Sequence, residues 1–318
     1  MVIPVLEATL HSLARDRIAR LGGLERISLR DLAREFREGS GDAGICFEYS
    51  VHQAIANQNS LIWPLASEVL EDFCSISQGA DSILFGPEKD GVIPILENVE
   101  NALTDESRVY VGNRGQPPKL KRYIPKIIKA FRRKDEKNKL PRSISGLWKA
   151  DLFMGNAQSE RWVGTTVKIN ASDLKGAQGL RIGIYPKQNA RDSPRMDGDL
   201  NLVRLPLPYD SAFMEVFYKS FFLVRAFLNA DAEVPKPVDL PDSEDRLITS
   251  ELQARRDFPL VEVLHVLKRM AQPDLLETGA VEQVAVTAQL SEAKGLQTEF
   301  SEITQSDYVS LTPMSRTT

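Results

Sequence analysis

Cysteine, histidine and tryptophan are all scarce in this chain, which has two, three and three of them among 318 residues. Cys46 and Cys74 show no metal-type spacing and cannot build a disulfide framework. Both are expected to be reduced and buried, in keeping with a cytoplasmic protein. With His11, His52 and His265 as the whole histidine complement, no zinc cluster is expected. No stretch approaches the roughly 18 to 20 apolar residues that span a bilayer. The opening Met1-Val2-Ile3-Pro4 lacks the basic-then-apolar pattern of a secretory signal, so neither membrane insertion nor secretion is expected. A glycine-rich loop ending in Gly-Lys-Ser/Thr is missing, which argues against ATP binding through a P-loop. Gly112-Asn113-Arg114-Gly115 is too short for a dinucleotide site, and the Gly-x-Ser-x-Gly elbow of esterases is absent.

What is present is the composition of an ordinary globular protein, 42% hydrophobic and 26% charged, long enough for one large domain or two small ones. The net charge of -4 hides a division. Residues 1–230 carry 32 Lys+Arg against 28 Asp+Glu, whereas residues 231–318 carry 8 against 16. Acidic tails are most often solvated segments, although some repel or mimic nucleic acid. The basic peak lies between Lys119 and Arg142, where eleven of 24 residues are Lys or Arg and only Asp135 and Glu136 oppose them. Ile124, Ile127, Ile128 and Phe131 supply a narrow apolar stripe, so a helix here docks by one face and turns its charge outward.

Hydrophobic spacing predicts helices over 7–21, from an N-cap at Ser28 to Phe36, over 47–57 and over 65–76. Strands are expected at 147–154, 162–170, 180–185 and near 202–207, followed by a buried helix over 213–228. Pro235, Pro237 and Pro241 mark an extended crossing segment, and a last helix is expected over 248–270. The chain divides on this reading into an N-terminal helical region (1–44), an α/β core (45–230), a C-terminal helical extension (231–289) and a loosely ordered tail (290–318).

Two of the strands carry polar residues where a strand face would normally be apolar. In Trp148-Lys149-Ala150-Asp151-Leu152-Phe153-Met154, Lys149 and Asp151 share one face. In Trp162-Val163-Gly164-Thr165-Thr166-Val167-Lys168-Ile169-Asn170, Thr166, Lys168 and Asn170 share another. A hairpin turning through Gly155-Asn156-Ala157-Gln158 sets Asp151 beside Lys168. Aspartate is disfavoured in a strand and costly to bury unless something pairs with it. A carboxylate beside an ammonium on rigid strands can hold a divalent cation and steady an attacked phosphate. The bland alternatives are a salt bridge satisfying a sheet margin and a lysine whose stem lies along apolar surface.

The spacing of Asp151 and Lys168 resembles that of the PD-(D/E)XK nuclease superfamily, with its restriction-endonuclease-like fold. There an aspartate on one strand precedes an acid-x-lysine triplet on the next. The triplet here is Thr166-Val167-Lys168, so a hydroxyl stands where the family has its second acid. Phe47-Glu48-Tyr49 resembles the glutamate that the superfamily often carries on an early helix. The resemblance covers about residues 48–186 and implies an α/β fold, a small mixed central sheet flanked by helices with helical additions. It implies Mg²⁺ (or Mn²⁺) held by Asp151 and Glu48, Lys168 stabilising the transition state, and Thr166 placing a water.

By the same resemblance the activity is phosphodiester hydrolysis, on DNA first of all, in restriction or antiphage defence and in the company of a partner protein. Lys126, Lys129, Arg132, Arg133 and Lys134 are then candidates for gripping the phosphate backbone, a sequence-independent, salt-dependent contact. A second expectation is a nucleic-acid-binding or scaffold subunit that keeps the fold without the chemistry, for which Thr166 is the best argument. A third is an interaction module whose basic face meets an acidic partner or its own tail. Glu48 also suits plain stabilisation of a helix N-terminus. His52 lies one turn after Glu48, Glu160 falls in the expected turn, and Gln178 precedes a strand; each is read first as structural or solvated.

Overall fold

The computed structural model describes residues 1–13, 20–22, 24–37, 43–85, 99–100, 103–110, 117–140, 144, 150–176, 179–209, 212–230 and 243–270. The described residues fall into two units, one ending at Pro259 and the other beginning at Leu260.

The first unit is a mixed seven-stranded sheet with helices, so the α/β class with a flanked central sheet is correct. Its strands are β1 (Asp81–Leu84), β2 (Arg108–Tyr110), β3 (Leu152–Asn156), β4 (Arg161–Val167), β5 (Arg181–Pro186), β6 (Arg195–Asp197) and β7 (Leu202–Leu207). The order is β1-β3-β4-β5-β7-β6. β1, β3 and β4 run antiparallel in turn, β4, β5 and β7 run parallel, and β6 returns antiparallel. β2 lies parallel to the first part of β4, pairing Arg161 to Val163, while β5 pairs Thr165 to Val167.

The four expected strands exist, and β1, β2 and β6 were not foreseen, being only three or four residues long. β3 is also later than expected. It starts after Asp151 and continues through Gly155 and Asn156, which pair with Trp162 and Arg161. The hairpin turn therefore falls on residues 157–160 and not on 155–158. Every residue of β3 is buried, Phe153 as fully as Leu152 and Met154. The expected apolar and polar faces give way to a strand covered on both sides, the usual condition of a sheet layered between other elements.

One group of helices packed on one another is α1 (Val2–Ser12), α2 (Leu29–Glu35), α3 (Ala43–Ala56), α4 (Trp63–Cys74) and α7 (Ala212–Ala230), of which α3 packs on β1 and β4. Ser28 caps α2 as expected, in a capping box with Asp31. Phe47 of α3 meets Phe217 of α7 edge-on at 5.3 Å between ring centroids. Trp63, at the start of α4, donates Nε1–H to the Ala80 carbonyl at 2.9 Å. Gly79 makes room for that ring: its φ is +92°, and a Cβ there would come within 2.6 Å of the indole.

A second core joins Phe85, Val109, Phe153 and Trp162 to α5 (Ile124–Arg132) through Ile124, Ile127 and Ala130. α5 is thus the docked helix of the basic stretch, held by its apolar stripe. It stops at Arg133, whose extended backbone separates it from the single turn α6 (Lys134–Lys137).

Three helical expectations need correction. α1 begins at Val2 and ends at Ser12, not 7–21. α7 is not buried all round, since Phe222 is 59% exposed and Val216 is exposed too. The expected helix over 248–270 is two, α8 (Ser243–Ala254) and α9 (Leu260–Met270), separated before Pro259, which disfavours helical backbone at the residue before it. α9 belongs to the second unit and buries Leu260, Val263, Leu264 and Leu267. Among the described residues no helix is long and apolar enough to cross a membrane. The proline segment 234–241 and the tail 290–318 lie outside the described residues.

Candidate active site

Asp151 stands immediately before β3, and its backbone is tied on both sides. Its N–H donates to the Thr165 carbonyl at 2.8 Å, and its carbonyl accepts the Phe85 N–H at 3.0 Å. The side chain finishes the ladder, with Oδ2 accepting the Val167 N–H at 2.9 Å. Asp151 is thus part of the sheet as well as part of the site, and little of its rotamer freedom remains.

Lys168 follows β4 directly, and its N–H still donates to Ile184 of β5 at 2.9 Å. Its ammonium lies 3.0 Å from Asp151 Oδ2 and 3.1 Å from Glu48 Oε1. The hairpin does bring Asp151 and Lys168 together, as their spacing predicts. Glu48 arrives from α3, 103 residues before Asp151 in the chain. Because α3 begins at Ala43, Glu48 lies beyond the first turn, where the helix dipole no longer explains a carboxylate. The two carboxylates are only 4% and 11% exposed, against 33% for the lysine side chain. Two buried anions converging on one half-buried cation cost desolvation that a plain structural pair of surface charges would avoid.

Thr166 stands two residues before Lys168, and its Oγ1 accepts a hydrogen bond from Arg181 Nη1 at 3.0 Å. Arg181 opens β5 and is buried. Burial lowers its guanidinium from the usual value and the Asp151 carboxylate opposes that shift, while arginine remains charged throughout. Sequence reading placed Arg181 in a strand and assigned it no role. The signal was the one used for Asp151, a charged residue among strand neighbours as apolar as Ile182 and Ile184.

The other candidates separate from this centre. His52 is turned to β1, with Nδ1 and Ser82 Oγ 2.9 Å apart. Glu160 accepts from Thr104 Oγ1 at 2.5 Å in the hairpin turn. Gln178 and Lys149 lie outside the described residues. Cys46 and Cys74 are buried and form no disulfide, and burial pushes the Cys74 thiol up to about 12. A groove of about 690 Å³ lined by Tyr209, Met214, Tyr218, Phe222, Leu223 and Asp245 shares no residue with the centre.

The basic stretch is less uniformly positive in space than in sequence. Asp105 and Glu106, just before β2, pair with Lys121 at 3.7 Å and Lys119 at 2.5 Å. Lys129 lies 3.5 Å from Glu136. Lys126 is exposed, with its ammonium 5.8 Å from the Tyr123 ring centroid, and Arg133 is exposed. The side chains of Arg132 and Lys134 lie outside the described residues.

The donor set bears on a metal ion. Among the described residues no group of three or more His, Cys, Asp and Glu is placed to hold one. Glu48 and Asp151 nevertheless offer carboxylate oxygens to a common cationic position. Mg²⁺ is commonly held by one or two carboxylates, completed by water and substrate phosphate, so this pair fits that ion. Comparison with protein-family models, with curated proteins and with solved structures finds no match to the chain.

Proposed function

We propose that this chain is a metal-dependent nuclease with a restriction-endonuclease-like core, hydrolysing phosphodiester bonds, DNA being the first expected substrate. The observation that carries the reading is the meeting of Glu48, Asp151 and Lys168 around one ammonium at 3.0 and 3.1 Å. Support also comes from the antiparallel β3–β4 pair with parallel β5 beside it, and from α3 bringing a glutamate to the same end. Glu48 and Asp151 would hold Mg²⁺ or Mn²⁺. The ion, when bound, supplies positive charge against the phosphoryl oxygens and makes water more acidic. Lys168 neutralises charge growing on the phosphoryl group as water adds to phosphorus and the bridging oxygen leaves. The backbone ties of Asp151 and the Val167 amide on its Oδ2 keep that carboxylate placed before substrate arrives. The exposed cations of 119–142, Lys126 and Arg133 foremost, would follow the phosphate backbone. A role in restriction or antiphage defence beside a partner protein belongs to the same reading.

One observation favours a second reading, a nucleic-acid-binding or scaffold subunit without catalysis. The Arg181 guanidinium sits on Thr166 where a third acid would serve a metal. Incubation of the protein with plasmid and with RNA in Mg²⁺, Mn²⁺ or EDTA separates the two. Cleavage that needs the ion supports the nuclease; binding indifferent to the ion, without cleavage, supports the scaffold.

A further inference from the structure

We propose that Lys168 is a built-in competitor for the cation position between Glu48 and Asp151, so that a divalent ion and a phosphodiester enter this site together. The inference rests on reading those carboxylates as the ion's ligands and adds how the site is regulated.

Both carboxylates already serve the lysine, at 3.1 and 3.0 Å. A divalent ion needs their oxygens at about 2.1 Å, and an ammonium cannot stay between them while it is there. Among the described residues the charges of Glu48, Asp151, Lys168 and Arg181 also balance. Glu48 and Asp151 carry two negative charges, and Lys168 and the buried Arg181 beside Thr166 carry two positive ones. An incoming divalent ion leaves a surplus of two positive charges in a site largely shielded from water, where like charges repel strongly. A phosphodiester anion removes part of that surplus and gives the displaced ammonium a partner. Lys168 can follow it, because its side chain is 33% exposed while the carboxylates are 4% and 11% exposed and Asp151 is fixed by the Val167 amide. Lysine is suited to this exchange, being a compact charge on a flexible stem.

The consequence is mutual. Whatever factor the nucleic acid adds to metal affinity, the metal adds to nucleic-acid affinity. The test measures Mn²⁺ binding to the full chain by electron paramagnetic resonance, with and without a phosphorothioate duplex that resists cleavage. Wild type is expected to bind Mn²⁺ about 10-fold or more tightly with the duplex than without it, within the usual span of such couplings. Lys168→Met is expected to bind Mn²⁺ about 10-fold more tightly than wild type without duplex, and to gain little when it is added. Adding Glu48→Gln to Lys168→Met should abolish that gain. A wild-type affinity that the duplex leaves unchanged overturns the proposal even if Lys168→Met does not fold. So does a folded Lys168→Met that binds Mn²⁺ no more tightly than wild type. A wild type that cuts neither plasmid nor RNA, with Lys168→Met still gaining Mn²⁺ affinity, would overturn the nuclease reading and leave the competition standing.

Discussion

Arg181 Nη1 donates to Thr166 Oγ1 at 3.0 Å across neighbouring strands β5 and β4, so a buried guanidinium and a hydroxyl occupy the ground where an acid was looked for. The pair makes a prediction about stability. Thr166→Val keeps the β-branched shape and removes one acceptor of a buried charged donor. The cost should be about 1–3 kcal/mol, and Thr166→Ser should recover most of it. Urea unfolding of the three proteins is the measurement; equal midpoints would mean that the hydrogen bond contributes nothing.

Asp151 calls for a different substitution from the one that its place in the sequence invites. Asp151→Ala looks like a clean removal of a ligand, yet Oδ2 also closes the ladder to the Val167 amide. The alanine variant is expected to lose stability as well as activity. Asp151→Asn retains an acceptor for that amide and removes only the charge. It should keep the far-ultraviolet circular dichroism of wild type while losing cleavage by about 10²-fold or more. A folded Asp151→Asn with wild-type cleavage rates would remove Asp151 from the chemistry.

How far the chain could be read beforehand follows from the range of the interactions. The Asp151–Lys168 pair was legible because one hairpin joins them and side-chain alternation fixes which face each takes. Moving the turn two residues later slides the pairing by four, an even number that leaves each side chain on its face, and the observed register, with Leu152 opposite Thr165, is the one that brings the two together. Glu48 was legible only through family resemblance, as no local pattern ties it to residues 103 positions later. Arg181 was missed because its partner is on a parallel neighbour, reached by a crossover with no turn to set the register. β1 and β2 escaped for a related reason. Four- and three-residue strands bear too few alternations to read, and they exist because β3 and β4 offer them edges. The acids that neutralise Lys119 and Lys121 were likewise brought in by folding and not by sequence neighbourhood.

Two histidines predict how stability responds to acid. Burial lowers both His11 and His52 from the usual 6.5 to about 4. His11 stacks on Tyr49 at 5.7 Å, and His52 meets Ser82. Between about pH 6.5 and 4 the unfolded chain takes up protons on these rings that the folded chain refuses. Stability is therefore full above pH 6.5 and falls as pH drops toward 4. Each unit of displacement corresponds to about 1.4 kcal/mol, so the two rings together account for a loss on the order of a few kcal/mol. Unfolding of wild type and of His11→Gln/His52→Gln at pH 7, 5.5 and 4.5 checks this. The double variant should show a shallower decline, and parallel curves would assign the acid loss to other groups.

The basic stretch makes the last prediction, and its geometry sharpens which residues to change. Lys119, Lys121 and Lys129 each have an acid within 4 Å, so replacing them removes less free positive charge than the sequence implies. Lys126 and Arg133 are exposed, and α5 is anchored beneath them by Ile124 and Ile127, so substitution there leaves the packing alone. Lys126→Gln/Arg133→Gln should weaken binding about equally for unrelated duplexes, since phosphate contacts carry no base information. The slope of log affinity against log salt should become shallower by up to about one unit per lost contact. Binding measured at three salt concentrations for each protein decides the matter. If the slope does not change, the helix is a solvated face and the nucleic acid approaches the Glu48–Asp151–Lys168 centre from another side.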